Sequence, residues 1–442
     1  MHTSQLSRRQ WLLASSLALA GSTSGVWAQA APQSNKNAGR LVVVLLRGAY
    51  DGLSAFVPYS DADYYASRPN IAIAAPDGTG KTALKLDNTF ALHPALAPVL
   101  PQWQQGVLGF IPSAGLPAPN RSHFAAQYEM EIGQSGKTST APGWLNKVAG
   151  SHKSITSAIG VGESNPAILA GDSQVKLISR GQAAVRTGVL ANDKTRSALM
   201  DLYAGNDSLS AAFRQGAGSR MQSAQELSHE KMAVDDKRLG LRIDTALDKD
   251  GTPATTQAQN AQMLAASNGA SDPVGLQLDA QHLGTLMRND RNLRLGFLSA
   301  GGWDTHANQG NATGQLANNL GNLGRALAQL RQDFSESGDV VVVMSEFGRT
   351  ALENGTRGTD HGYGNAMWLM GNRINGGRWH GQWTGMKRNN LNEARDLPAH
   401  HDYRAVLAQV LRTTFAMSDS AMADVLPNTS WDMRLDTLMR RT

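Results

Sequence analysis

Asp304-Thr305-His306 and Asp360-His361 lie on either side of the apolar run Val340-Val341-Val342-Val343-Met344, which leads directly into Ser345-Glu346-Phe347-Gly348-Arg349-Thr350. Carboxylates and imidazoles at this density are the donor set of a divalent metal centre. Asp304 and His306 stand at i and i+2, so an extended backbone projects both to one side, toward one ion. Asp360 and His361 would diverge in a strand, but Gly358 and Gly362 place them in a turn, where they share one ion or serve two. The chain contains no cysteine, which excludes thiolate ligands, iron–sulfur clusters, disulfides and a cysteine nucleophile. Oxygen and nitrogen donors mixed in this way suit Zn or Mn, and Fe after them, better than Mg or Ca.

Ligands of open α/β sheets bind beyond the carboxyl ends of the strands, and two further polar motifs occupy such places. The run Leu41-Val42-Val43-Val44-Leu45-Leu46 ends in Arg47-Gly48-Ala49-Tyr50-Asp51-Gly52, which presents Asp51, and the 340–344 run presents Glu346 and Arg349. Asp51 is either a ligand or a turn aspartate bonded to its own backbone. Glu346 is either a ligand or one half of an ion pair with Arg349 that anchors the strand end. Ser122, in Pro119-Asn120-Arg121-Ser122-His123-Phe124, opens a helical pattern. It is an N-cap serine, or a nucleophile activated by a metal, with Arg121 and His123 holding an anionic group at the helix start. Arg121 or Arg349 would clamp that anion. His93 reads as a polar helix-entry residue, and His380, His400 and His401 as solvent-facing. Trp144, Trp303, Trp368, Trp379 and Trp383 are pocket walls or core.

These residues need a scaffold, and the apolar pattern supplies one. Continuous rather than alternating apolar runs at 41–46, 107–112, 157–161, 293–299, 340–344 and 366–370 predict strands buried on both faces. Helical patterns at 93–104, 122–132, 314–334 and 403–415 fall between them. The alternation predicts an α/β fold with a mostly parallel, doubly wound sheet. Residues 172–286 are rich in Ala, Gln, Ser, Asp and Arg and poor in aromatics, a helical polar insertion that either caps the sheet or lies at its periphery. Residues 31–442 otherwise read as one domain.

The first thirty residues are of another kind. Ser7-Arg8-Arg9-Gln10-Trp11-Leu12, an apolar run to Ala20 and Ala28-Gln29-Ala30 make up an expected twin-arginine export signal over 1–30. The apolar run is shorter than the roughly 20 residues that span a bilayer, so no transmembrane anchor is expected, and a periplasmic or secreted location is. Without that segment the formal charge falls from +5 to +3, with 39 basic against 36 acidic side chains. No basic run is interleaved with aromatics, so nucleic acid is not an expected partner.

Taken together, residues 41–59, Leu92-His93-Pro94, Arg121-Ser122-His123-Phe124, Gly143-Trp144-Leu145, Gly302-Trp303-Asp304-Thr305-His306, Ser345-Glu346-Phe347-Gly348-Arg349-Thr350 and Gly358-Thr359-Asp360-His361-Gly362 resemble the bacterial "domain of unknown function 1501" family. That family is similar to the alkaline phosphatase and sulfatase superfamily. The resemblance implies an alkaline phosphatase-like fold and a two-metal site with Asp51, Asp304, His306, Asp360 and His361 as ligands and Ser122 as nucleophile. Tyr363 stands where relatives often carry a second histidine, and the cysteine motif of the common sulfatases is absent. The expected function is metal-dependent hydrolysis of a small anionic phosphate or sulfate ester, with the twin-arginine export machinery as a transient partner. The alternative is a non-catalytic periplasmic protein that binds an envelope glycan or assists another exported enzyme.

Overall fold

Six consecutive apolar residues with no polar alternation, Leu41–Leu46, form β1, and all six are enclosed. The computed structural model describes residues 39–136, 140–151, 157–229 and 257–440, so the export signal expected over 1–30 lies outside the described residues. β1 is flanked on both sides by parallel strands. It pairs with β5 (Leu293–Ala300) and β6 (Val340–Met344) in a register that sets Val43 beside both Phe297 and Val342. With β2 (Leu108–Gly115), β3 (Ser157–Val161), β4 (Val175–Ile178), β7 (Asn365–Met370) and β8 (Arg378–Trp379), the strands follow the order β8-β2-β7-β6-β1-β5-β3-β4. A short β9 (His401–Asp402) also pairs with β2. The sheet is parallel as expected except at β7, which runs antiparallel to β6 and β2.

Each face of β1 belongs to a different core, which is what its unbroken apolar run requires. Leu41, Val43 and Leu45 pack with Met130 of α1 (His123–Ile132), Trp144 and Leu145 of α2 (Trp144–Ser151), and Val406 and Val410 from residues 403–415. Val42, Val44 and Leu46 pack on the other side with Leu283 and Met287 from residues 276–289 and Leu320 and Leu323 from residues 315–333. Each fully buried Val or Leu contributes roughly 1.5–3 kcal/mol, and β1 is buried from both directions. Trp144, Trp303 and Trp368 are core residues, whereas Trp379 and Trp383 are half-buried against Phe90.

The polar region 172–286 is tied into the sheet at both ends. It opens with the edge strand β4. Among the described residues its α-helices are α3 (Asp193–Leu202), α4 (Ser208–His229), α5 (Gln257–Ala266) and α6 (Leu276–Asn289), and α6 covers one face of the sheet. The long helices α7 (Gln315–Asp333) and α8 (Tyr403–Phe415) match their apolar periodicity. The helix expected over 93–104 is instead a 3-10 turn, Pro94–Val99, followed by the short helix Leu100–Gln104. Pro98 and Pro101 lack the amide hydrogens that a continuous α-helix would need. Among the described residues no helix is long and apolar enough to cross a membrane.

The histidines expected to face solvent are mostly buried. His401 is fully enclosed, with Nδ1 2.7 Å from Asp432 and Nε2 accepting from the Gln382 amide at 2.8 Å, and His380 lies 2.9 Å from the Asn375 carbonyl. His93 caps the 3-10 turn by accepting from Ala95 at 3.0 Å, and its other nitrogen lies 2.9 Å from the Asn311 carbonyl. Burial lowers the pKa of both His93 and His282 to about 4.

Two predictions follow from this packing. Asp339 holds Arg40 through one guanidinium edge, at 2.6 and 3.0 Å, beside the first β1–β6 register pair, Leu41 and Val340. Asp339→Ala leaves the largely buried Arg40 charge to the half-exposed Glu336, 3.8 Å away, and should cost about 2 kcal/mol in urea unfolding. His93 and His282 stay neutral in the fold while the unfolded chain takes up protons near pH 6.5. Stability should therefore fall as pH drops from about 6.5 to about 4. His93→Asn, which keeps an N-cap acceptor, should make that slope shallower by about one proton; an unchanged slope would contradict the neutral buried histidine.

Candidate metal centre

β1, β5 and β6 end side by side, and their loops, residues 47–51, 301–306 and 345–349, meet at that edge. Close backbone approach makes the meeting possible. Gly48 has a φ of 112°, and a Cβ there would lie 2.9 Å from the Asp304 amide nitrogen. Residues 360–363 fold back along 348–350 through amide bonds from Gly348 to Tyr363, Thr350 to Asp360 and Gly362 to Gly348 at 2.7–2.9 Å. A Cβ at Gly358 would lie 2.4 Å from the His306 carbonyl oxygen, so a larger residue would push the two ligand-bearing segments apart.

Three imidazoles converge there. The Nε2 of His361 lies 3.0 Å from the Nε2 of His123 and 3.0 Å from that of His306. Asp304 Oδ1 completes the group, 3.4 Å from His123, 3.0 Å from His306 and 3.2 Å from His361. Donors of a tetrahedral Zn site, at roughly 2.0–2.1 Å from the ion, stand about 3.3 Å apart; His361 Nε2 and Asp304 Oδ1 have about that spacing to each other and to both His123 and His306, and the ligand atoms of His123, Asp304 and His361 all lie within 4.8 Å of one another.

The far side of each ring decides what the near side offers. His123 Nδ1 faces Glu346 Oε1 at 2.8 Å, His306 Nδ1 faces Asp360 Oδ1 at 3.1 Å, and His361 Nδ1 faces the Arg121 carbonyl at 2.9 Å. All three partners are acceptors, so each Nδ1 donates its hydrogen outward. Each neutral Nε2 then directs a lone pair at the common focus. Acceptors behind ligating imidazoles fix tautomer and ring orientation and raise ligand basicity. The acceptors are themselves held: Glu346 accepts from the Gly48 amide at 2.7 Å and from Gln127 at 2.9 Å, and Asp360 accepts from Asn354 at 3.0 Å.

The electrostatics favour a cation at the focus. Burial pushes the Asp304 carboxyl up, but the close His123, His306 and His361 rings and the Arg349 charge outweigh it and hold Asp304 far below the usual carboxylate range. Burial opposes a charge on His123, yet Asp304 and Glu346 raise its pKa to about 9. His361 is lowered, by burial and then by the charges of Arg349 and His123. Without a metal the focus therefore takes a proton on His123. The donor set fits a divalent ion in its place: His123, Asp304 and His361 lie mutually within ligand range, and His306 stands beside the last two.

Of the residues expected to act, Asp304, His306 and His361 meet at this focus. Glu346 and Asp360 approach it from behind, through the outer nitrogens of His123 and His306. Asp51 lies elsewhere, in a buried pair with Arg68 at 2.5 Å, where it also accepts from Ser54 and Gln309. Arg349 is 2% exposed and spends its donors on the carbonyls of Ala49, Thr359, Gly48 and Trp303 and on Asp304. It has no face left for an anion. The Arg121 side chain is bound by Glu393 at 2.8 Å and Asp396 at 3.3 Å. Ser122 is exposed at the N-cap of α1, and its hydroxyl makes no cap bond. His123, expected only as an anion-holding neighbour of Ser122, is the third imidazole.

The TAB5 alkaline phosphatase, from an Antarctic bacterium, is similar over 86% of this chain and 100% of its own at 11% identity, with a TM-score of 0.33. A variant of the alkaline phosphatase PafA is similar over 71% of this chain at 12% identity, with a TM-score of 0.32, and this chain spans 64% of its length. Neither likeness assigns a role to a residue. No curated protein matches the sequence. The profile of the family described as "Protein of unknown function (DUF1501)" matches residues 38–428, and the chain belongs to that family.

Proposed function

We propose that this protein is an exported, metal-dependent hydrolase of small phosphate or sulfate esters, with a divalent ion, Zn or Mn, held by His123, His306, His361 and Asp304. One observation carries the metal reading: the ligand atoms of His123, Asp304 and His361 all lie within 4.8 Å of one another, and His306 Nε2 stands 3.0 Å from both Asp304 and His361. A bound divalent ion would supply Lewis acidity, making a nucleophile available at neutral pH and neutralising charge that develops on an ester oxygen. The chain's own groups do the rest. Ser122, exposed one residue before His123, provides the attacking hydroxyl, and the free amides that begin α1 receive the anionic oxygens. Asp360 and Glu346 keep the rings of His306 and His123 aimed. The paired arginines at Arg8-Arg9 and the apolar run behind them support export by the twin-arginine route.

A second reading has its own support. Arg349 and the Arg121 side chain, the two cations expected to clamp an anion, are both engaged by protein groups. That favours a metal-bearing protein that binds an envelope component or assists another exported enzyme without turning over an ester.

Elemental analysis of the mature protein should find about one equivalent of Zn or Mn, and His361→Ala or Asp304→Ala should weaken metal binding at least about 100-fold. Protein that stays metal-free after reconstitution sinks the metal reading. On a panel of aryl phosphate and sulfate esters, Ser122→Ala should keep its metal and lose about 1,000-fold in kcat. Full turnover by that variant would return Ser122 to an ordinary cap, and a metal-loaded wild type inert on every ester would favour the binding reading.

A further inference from the structure

We infer that Gln309 is a positioning residue for the metal centre, its carboxamide fixing the spacing of the two segments that carry Asp304, His306 and His361. This rests on the metal reading above. Gln309 is fully buried, and its side chain is satisfied at both ends. Its Oε1 accepts from Thr305 Oγ1 at 2.9 Å and from Thr359 Oγ1 at 3.0 Å. Thr305 stands between Asp304 and His306, and Thr359 directly precedes Asp360-His361. One oxygen atom thus ties together the two segments whose side chains must meet at the ion. The backbone agrees: the Thr359 amide donates to the Thr305 carbonyl at 3.2 Å, and the Gln309 amide donates to the Arg357 carbonyl at 3.0 Å.

The other end of the carboxamide determines which way it points. Nε2 donates to Asp51 Oδ2 at 2.8 Å and to Ser54 Oγ at 3.3 Å. Asp51 is an ionised acceptor, because Arg68 and the hydrogen bonds of Ser54 and Gln309 outweigh the effect of its burial. An amide facing it must present nitrogen, and that turns the oxygen toward the two threonines. Arg68, itself fully buried, also donates to the carbonyls of Thr350 and Ala351 at 2.9 Å, so the network returns to the segment along which the His361 stretch is laid. Asp51 acts at a distance here: it orients Gln309, and Gln309 sets the loops. Ligating side chains must be held to within about 0.5 Å, and outer partners of ligands typically govern 10- to 100-fold in metal affinity.

Co2+ titration of the metal-free protein tests this, reading both the dissociation constant and the visible absorption of the bound ion. Gln309→Ala and Thr359→Val should each bind Co2+ about 10- to 100-fold more weakly and with an altered band, while their metal-free unfolding midpoints show that they are folded. Thr359→Ser restores the hydroxyl and should restore wild-type affinity and spectrum, a rescue that a purely structural role for the methyl group would not give. If Gln309→Ala fails to fold, Thr359→Val set against Thr359→Ser decides. Folded Gln309→Ala and Thr359→Val proteins that bind Co2+ as wild type does overturn the clamp alone. A wild type that takes up no Co2+ overturns the metal reading, and the clamp with it.

Discussion

One guanidinium without access to water holds the functional edge of the sheet together. Arg349 donates to Ala49 and Gly48 after β1, to Trp303 and Asp304 after β5, and to Thr359 on the segment that folds back before β7. A buried cation is costly unless its donors are all used. Here they are used on carbonyls from three separate segments, so the charge is satisfied only when those segments are in place together. Against the effect of burial, and after the larger effect of His123, His306 and His361, the same charge helps to keep Asp304 ionised.

Two more buried arginines extend the arrangement. Arg47 is held by Glu131 and Glu163 and donates to Gln127, which donates to Glu346 behind His123. Arg68 holds Asp51, which orients Gln309 beneath Thr305 and Thr359. Each element of the metal centre can therefore be traced through at most a few hydrogen bonds to an arginine in the interior. Hydrogen bonds in such networks are strong because the surroundings are dry, and an unmet partner is costly for the same reason. The three exposed or half-exposed elements, Ser122, the edge of His306 and the edge of His361, rest on a rigid polar floor.

Much of this was legible in the sequence. The uninterrupted apolar runs located β1, β3, β5 and β6, because a strand buried on both faces leaves no room for polar alternation. The direction of β7 was not legible, since Asn365–Met370 has the same apolar character whichever way it runs. Asp304, His306 and His361 could be picked out because strand ends in such sheets gather at one edge. His123 was legible only as an anion holder beside Ser122, because it reaches the site from the start of a helix that packs across the sheet, far in sequence from the other donors. Asp51 had the right address but was claimed by Arg68, and residue spacing says nothing about which cation a buried carboxylate will find. Glu346, read from the sequence as a ligand or as the ion-pair partner of Arg349, instead holds the ring of His123 at 2.8 Å.

The donors at the focus come from far apart in the chain: His123 and His361 are 238 residues apart, yet their nitrogens lie 3.0 Å from each other. Contacts of such long range form late, after the entropy of closing large loops has been overcome. The unfolded chain therefore offers an ion the local Asp304–His306 pair rather than the whole donor set, and an ion there would be a weak folding template. Its binding free energy falls almost wholly on the completed sheet and raises the stability of that state by mass action. Occupancy of the centre would thus report that the distant halves of the chain have already found each other.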